Sequence, residues 1–552
     1  MDNRQIAKLF QRAAHLLEFH GENIFKIRSY ENAADTINSL PDKLENFNEQ
    51  ALEQLEGIGK NLSKKIIQIR QTGSFDELDR LVPITPKGLL ELIGIKGLSP
   101  KKLAQLWKEL NIQNADDLLK ACKNGEVASV KGFGDKTQEN IIEVLLFFFE
   151  NKGKFLYRDA EQEAFAILDK LKASDLIIRA ELCGAIRRKE IIISSLSFLI
   201  CLHGNIEEVE NYYLNIGLTK DENNTWYSPS YQIPVIIYYC EEQNFIGTWI
   251  EETGVPAHNK YLDKSYYLNA KTEEDVYDLS GLPYIIPEMR EGLDEFEIME
   301  NISEEDIISY QDLKGCLHNH SIYSDGNNTI EEMALRCKTL GLEYFGISDH
   351  SQTAVYANGL KPETVLKQIA EIDQLNLKLA PFKIFKGIES DILSDGSLDY
   401  EEEILKCFDY IVASIHSGLK MTEANATKRL IKAIENPYTT ILGHMTGRLL
   451  LMRQGYPINH EKVIDACAAN GVCIEINANP RRLDISWEHI RYAVDKGVML
   501  SINPDAHALK EIEYMNFGVC AARKAGLVKD MVLNTMNSSR LSKIFEHKKI
   551  NA

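Results

Sequence analysis

Leu313-Lys-Gly-Cys-Leu-His318-Asn-His320 closes a short apolar run on two histidines, and Leu342-Glu-Tyr-Phe-Gly-Ile-Ser-Asp349-His350 repeats the arrangement after an intervening helical pattern. The same grammar continues along the chain. Apolar, β-branched runs at 313–317, 344–348, 384–388, 410–415, 440–442, 472–476 and 498–502 alternate in part with helical patterns such as 331–340 and 461–470. Strands spaced by helices predict β/α units and a distorted (β/α)7 barrel. Ligand-type side chains stand just beyond the runs: His318 and His320, His350, Glu389, His416, His444, then Asp505 and His507, with Asp325 in the first loop. Barrel enzymes collect their chemistry at these strand ends. A single histidine there is more often a structural hydrogen-bonding group. Nine ligand-type residues in register, two pairs of them H-x-H and D-x-H doublets, form a metal-site pattern. They point to a metal-dependent hydrolase.

The rest of the chain must then say what is hydrolysed. Its 552 residues exceed a single core and predict several domains. No apolar run approaches the ~20 residues that span a bilayer, and the first ten residues lack a signal-peptide core. The ten cysteines are scattered without a C-x-x-C pair, which fits free thiols in a reducing cytoplasm. The expectation is a cytoplasmic monomer with no membrane partner. A net charge of −20 argues against nonspecific coating of nucleic acid. Residues 57–108 are the exception, with ten Lys/Arg against four acids.

That basic island holds glycine turns of one kind. Gly57-Ile-Gly59-Lys60, Gly94-Ile-Lys96-Gly97 and Gly132-Phe-Gly134 each join two helical patterns, with lysines close by. Lys96 widens the spacing in the middle copy. Glycine lets the backbone turn and approach a ligand, and the following helix N-terminus offers free N–H groups to phosphate. These turns resemble helix-hairpin-helix motifs, which implies DNA-backbone binding over residues 1–150. The region is also similar to the lyase-like and fingers-like domains of family X DNA polymerases. By that resemblance Lys65 falls on the position of a Schiff-base nucleophile, with Lys60 and Lys64 as neighbouring cations, while Lys26 and Tyr30 fall on 5′-phosphate contacts. The plainer alternative is that Lys65 only contacts phosphate.

Residues 151–300 resemble the α+β palm and thumb of the same polymerases. Gly184-Ala-Ile-Arg187-Arg188 keeps the palm signature, but Ser195 and Ser197 stand where that family has two metal-binding aspartates. Pro234 stands at the third. A hydroxyl is a poor Mg²⁺ ligand and proline supplies none, so two-metal nucleotidyl transfer should be lost. Glu251-Glu252-Thr253-Gly254 adds negative charge where a triphosphate would sit. An acidic stretch between 288 and 306 reads as an exposed connector carrying a short helix.

Residues 312–552 resemble the polymerase and histidinol phosphatase (PHP) domain, and the joint order resembles bacterial family X polymerases along the whole chain. The resemblance implies a trinuclear cluster of Mn²⁺, Zn²⁺ or Fe²⁺. One ion would take His318, His320, Glu389 and Asp505, and Glu389 would bridge to a second bound by His416 and His444. Asp325, His350 and His507 would hold the third. Arg482 and Lys420 are the candidate phosphate contacts, and Asp349 is a candidate to orient His350. The expected function is DNA repair by a metal-dependent phosphodiesterase, as a 3′→5′ exonuclease, 3′-end phosphatase or abasic-site endonuclease on gapped, nicked or 3′-ended duplex. The alternatives are an active polymerase X with exonuclease, a non-enzymatic DNA-binding scaffold, and a small-molecule phosphatase.

Overall fold

The computed structural model describes residues 3–40, 43–95, 97–268 and 270–550. Contacts divide the chain into two units, Met1–Lys152 and Gly153–Ala552.

The first unit is helical throughout. Helices Asn3–Phe19, Ile24–Ser39, Lys60–Thr72 and Asp76–Ile84 bury Phe10, Leu17, Ile37, Ile66 and Leu81 in one core. Pro100–Leu110, Ala115–Lys123 and Asp135–Asn151 close a second around Leu92, Leu106, Leu118 and Leu145. The first hairpin works by division of labour. Gly57 takes a left-handed φ of 73°, Ile58 plugs the core at 2% exposure, and Gly59 caps the helix Lys60–Thr72. The third repeats this, with Gly132 at φ 89° and Gly134 capping Asp135–Asn151. A Cβ on Gly59, Gly132 or Gly134 would meet nothing within 4 Å, so these turns are open to an approaching ligand. The middle copy differs. A Cβ on Gly94 would lie 2.7 Å from His15 Nδ1 and one on Gly97 2.9 Å from Val144 Cγ2, so these glycines serve internal packing. Lys96 lies outside the described residues.

The second unit holds a mixed sheet and a parallel barrel. Strands β1 (Ile177–Cys183), β2 (Leu196–Leu202), β3 (Thr219–Lys220), β4 (Trp226–Tyr227) and β5 (Pro234–Tyr239) lie in the order β1-β2-β5-β4-β3, with β2 and β5 parallel. The barrel strands are β6 (Gly315–Cys316), β7 (Tyr344–Ile347), β8 (Lys383–Asp391), β9 (Tyr410–Ser414), β10 (Ile441–Leu442), β11 (Cys473–Asn477) and β12 (Leu500–Asn503). They pair in chain order. A bridge between Asn319 and Ala506, with His320 N donating to Ala506 O at 2.8 Å, nearly closes the ring. Tyr410 fills the barrel's interior. Its hydroxyl lies 2.6 Å from Leu317 O, and Gly346 and Gly387 supply the room, since a Cβ on either would overlap its ring or hydroxyl within 2.4 Å. All seven expected strands are present, with the first shortened to two residues.

The acidic stretch is an exposed connector only in part: Asp294, Glu297, Glu300, Glu304, Glu305 and Asp306 face solvent and the short helix Glu295–Asn301 is present, but Glu288, Glu291 and Glu295 turn inward. Glu288 (6% exposed) is paired 3.0 Å from both Lys189 and Arg523, and Glu295 (3%) lies 2.8 Å from His258. Lys524, buried from the helix Met515–Lys524, pairs with Glu291 and with Glu190 at 3.0 Å. Charges leave water only when paired. Glu288 and Glu291 therefore join the mixed sheet's region to the barrel's within the second unit.

Candidate metal centre and mixed sheet

At the C-terminal face of the barrel three carboxylates gather six imidazoles. Glu389, near the end of β8, is central: Oε1 lies 3.0 Å from His444 Nε2, 3.1 Å from His416 Nε2 and 3.4 Å from His318 Nε2. Its Oε2 lies 2.9 Å from His350 Nδ1 and 3.7 Å from His320 Nε2. Asp505 Oδ1 faces His320 Nε2 at 3.2 Å and His318 Nε2 at 3.7 Å. Asp325 Oδ1 faces His507 Nε2 at 3.4 Å, His350 Nε2 at 3.6 Å and His320 Nδ1 at 3.8 Å.

Three overlapping ligand sets result: His318, His320 and Asp505; His350, Glu389 and His416; and His320, Asp325, His350 and His507. Sequence reading assigned each histidine to one ion. The geometry instead puts His320 and His350 between sets, because both ring nitrogens of each face a carboxylate. Asp325 and His507 are about one-third exposed while the other groups are nearly buried, so the third set opens to solvent.

The electrostatics suit cations. Burial opposes ionisation of Asp325, yet the bond from His507 and the nearby imidazoles hold its carboxyl at about 2. Burial, reinforced by His507 and His350, pushes His320 down to about 3, leaving a neutral imidazole of the kind a metal requires. His318 Nε2, His320 Nδ1 and His350 Nδ1 are buried and face carboxylates without making an aligned hydrogen bond. Buried polar atoms seldom stay unpaired, and a cation facing these nitrogens would satisfy them. The mixed imidazole and carboxylate donor set therefore fits divalent metal.

Two side chains behind the ligands escaped the sequence reading. Glu475 on β11 is fully buried: Oε1 lies 2.7 Å from His318 Nδ1 and accepts from Asn503 at 3.1 Å, while Oε2 accepts from His444 N at 2.9 Å. It fixes the tautomer that leaves His318 Nε2 free toward Glu389 and Asp505. Asp391 does the same for His416 Nδ1. A signal existed for both. Asp391 is two residues past Glu389 on one strand, hence on the same face, and Glu475 is a lone charge within an apolar strand.

Other expected residues fall in different places. Asp349 is buried but turns away from His350, accepting from Ser321 N at 2.7 Å, Ser321 Oγ at 2.6 Å and Gln368 Nε2 at 2.6 Å. It orders the loop that carries Asp325. Arg482 borders the site, with Nε 3.4 Å from Asp505 Oδ2, and Lys420 is exposed beyond His416. In the helical unit Lys60 and Lys64 are exposed beside the first hairpin. Lys65 is buried in an ion pair with Glu77, whose other oxygen is 3.6 Å from Lys26. Tyr30, at 2% exposure between Phe10 and Phe75, is a core residue rather than a surface phosphate contact.

In the mixed sheet, Ser197 (5% exposed) is in register with Cys183 and Ile236. Pro234 and Ile236 alternate onto one face of β5, so neither offers an oxygen there. Arg187 forks onto Glu273 at 2.8 and 2.6 Å and lies 3.5 Å over the Trp249 ring. Arg188 bonds Glu291 at 2.9 Å and Thr253 O at 2.7 Å. Both signature arginines are already neutralised from within.

Comparison with known proteins agrees with this architecture. Residues 1–75 match a helix-hairpin-helix domain, 89–145 a SAM-like helix-hairpin-helix tandem, and 317–479 the PHP domain. The DNA polymerase/3′-5′ exonuclease PolX of Bacillus subtilis is 33% identical over 97% of both chains. The chain belongs to the PolX family. That alignment runs through the mixed sheet as well as the barrel. Probable phosphatases of Thermoanaerobacter (31% identical) and Acetivibrio thermocellus (27%) align with 40% of this PolX chain and 89% of their own. Among the described residues no helix is long and apolar enough to cross a membrane.

Proposed function

We propose that the chain is a metal-dependent DNA phosphodiesterase of base-excision or gap repair, working at 3′ ends or abasic sites through its PHP barrel, and that its palm no longer polymerises. One contrast carries this reading. Nine ligand-type side chains converge in the barrel, whereas Ser195, Ser197 and Pro234 stand at the palm positions. Among the described residues, ligand groups of three or more occur in the barrel alone. Bound divalent ions would supply Lewis acidity and charge neutralisation for phosphodiester hydrolysis. The chain's own residues orient that chemistry: Glu475 and Asp391 set the His318 and His416 rings, and Arg482 offers a guanidinium to a phosphate oxygen beside Asp505.

Residues 1–150 would grip the DNA backbone through the open Gly57/Gly59 and Gly132/Gly134 turns with Lys60 and Lys64. Residues 151–300 would serve as a retained scaffold, and 312–552 as the hydrolase. Lyase chemistry at Lys65 would first require its ion pair with Glu77 to open, since a nucleophilic lysine must be free and neutral. The second reading, retained polymerase activity, rests on the similarity to the DNA polymerase/3′-5′ exonuclease PolX of B. subtilis.

The deciding experiment is Mn²⁺-dependent degradation of 3′- and 5′-labelled gapped duplex by wild type and His318→Ala/His320→Ala, with dNTP extension run in parallel. Hydrolysis abolished in the double variant, without extension by either protein, is the expected result. Extension by both proteins would overturn the reading of the palm. A finer prediction concerns Glu475→Gln. Losing a carboxylate behind a metal-binding histidine typically costs about 10–100-fold in metal affinity or activity. Calorimetric titration with Mn²⁺ should show that weakening, and unchanged affinity would refute the role.

A further inference from the structure

The turn Val355–Ala357, in the loop after β7, presents Val355 (81% exposed) and Tyr356 (69%) to solvent. Exposed apolar side chains on mobile loops are unremarkable. This turn is held from both ends. Ala354 and Ala357 are buried, Leu360 N donates to His350 O at 2.8 Å, and Asn358 Nδ2 donates to Ser324 O at 3.3 Å. Gly359 packs so tightly that a Cβ would overlap Ser351 O at 1.9 Å. Thr353 N donates to Asp399 at 2.7 Å, and Thr353 Oγ1 to Asp391 at 2.9 Å. Asp391 is the carboxylate that also bonds His416, so the loop is tied to the candidate metal centre. The Tyr356 ring lies 6.1 Å from the His350 ring and 6.5 Å from that of His416.

A rigid, solvent-facing aromatic beside phosphate-processing machinery has the form of a stacking platform. We propose that Tyr356, flanked by Val355, stacks the unpaired base of the strand end whose phosphodiester enters the centre. This rests on the proposed function and narrows it to its 3′-end arm: the substrate class becomes single-stranded or frayed ends bearing an intact terminal base, not abasic ends. Three features favour a nucleobase over another occupant. The exposed face is aromatic on a turn held at both ends, a guanidinium (Arg482) lies by the same centre, and every base has a π-face that stacks without sequence preference.

The test uses full-length protein and two single-stranded oligonucleotides, one with a normal 3′-terminal nucleotide and one ending in a tetrahydrofuran abasic residue. Wild type with Mn²⁺ should prefer the normal end by roughly 5- to 150-fold in kcat/KM, the range that stacking of one base supports. Tyr356→Ala should bring the ratio close to one. Tyr356→Phe should retain it, and so should Leu377→Ala on an exposed helix position remote in sequence. A readout independent of hydrolysis is 2-aminopurine placed at the 3′ terminus. Its fluorescence should be quenched on binding wild type and Tyr356→Phe in EDTA, but not on binding Tyr356→Ala. An unchanged preference and unchanged quenching in Tyr356→Ala would overturn the platform while leaving the nuclease reading intact. Absence of hydrolysis of either oligonucleotide would overturn the nuclease reading, and the quenching comparison would still decide the platform.

Discussion

Glu389→Gln should lower Mn²⁺-dependent phosphodiester hydrolysis by about 10³-fold or more, because a catalytic metal contributes several kcal/mol and each 1.36 kcal/mol is a factor of ten. The substitution keeps the side chain's shape and removes its charge. Glu389 is 1% exposed, with five imidazoles within 3.7 Å of its two oxygens. A neutral amide would present an NH₂ group to some of those nitrogens, and its oxygen would attract a cation far less. Elemental analysis after dialysis should find fewer ions per chain than in wild type. A variant with full metal content and full activity would remove Glu389 from the centre.

Glu273→Gln should destabilise the second unit by about 3–5 kcal/mol, the cost of leaving a buried charge without its partner. Glu273 is 4% exposed and bonds two guanidiniums: Arg187, and the fully buried Arg290 at 2.7 and 3.0 Å. Burial works against its ionisation, but Arg290 and Arg187 overcome this and hold the carboxyl at about 2 instead of 4.5. Because the folded value is the lower one, the stabilisation is complete above about pH 4.5. It is lost as pH falls toward 2. Denaturant titration between those limits should show a falling midpoint for wild type, with this part of the slope missing in the variant. A midpoint at neutral pH equal to wild type's would refute the network's role.

The same network bears on the reading of residues 151–300. In the sequence Arg187 and Arg188 stand out as retained members of the signature that resembles a polymerase palm. In the fold they are occupied by Glu273 and Glu291, acids that lie 86 and 103 residues downstream. Local reading located the arginines, but their partners are set by packing over long separations.

Much of the architecture was legible because it repeats with a period. Strand runs alternating with helical patterns gave the barrel, and hydrophobic-glycine turns gave the hairpins. Eight of the nine candidate ligands were legible because they stand just beyond apolar runs, with Asp325 in the first loop, and strand ends on one side of a barrel converge whatever the loops do. Tyr30 and the inward-facing acids Glu288, Glu291 and Glu295 were misread for a common reason. A tyrosine or glutamate carries no local mark of whether it faces water, and only the surrounding helices bury Tyr30 or bring Lys189 and Arg523 to Glu288.

By itself, then, the sequence determined the helical, mixed and barrel regions, the side chains at the barrel's mouth and the absence of carboxylates at Ser195, Ser197 and Pro234. Tertiary structure decided which nitrogen of each histidine meets which carboxylate, that Glu475 and Asp391 stand behind the ligands, and that a fixed turn lifts Tyr356 beside them. Periodicity and residue type are written locally along the chain. Orientation, burial and charge pairing arise from groups far apart in sequence, which only the folded chain brings within hydrogen-bonding distance.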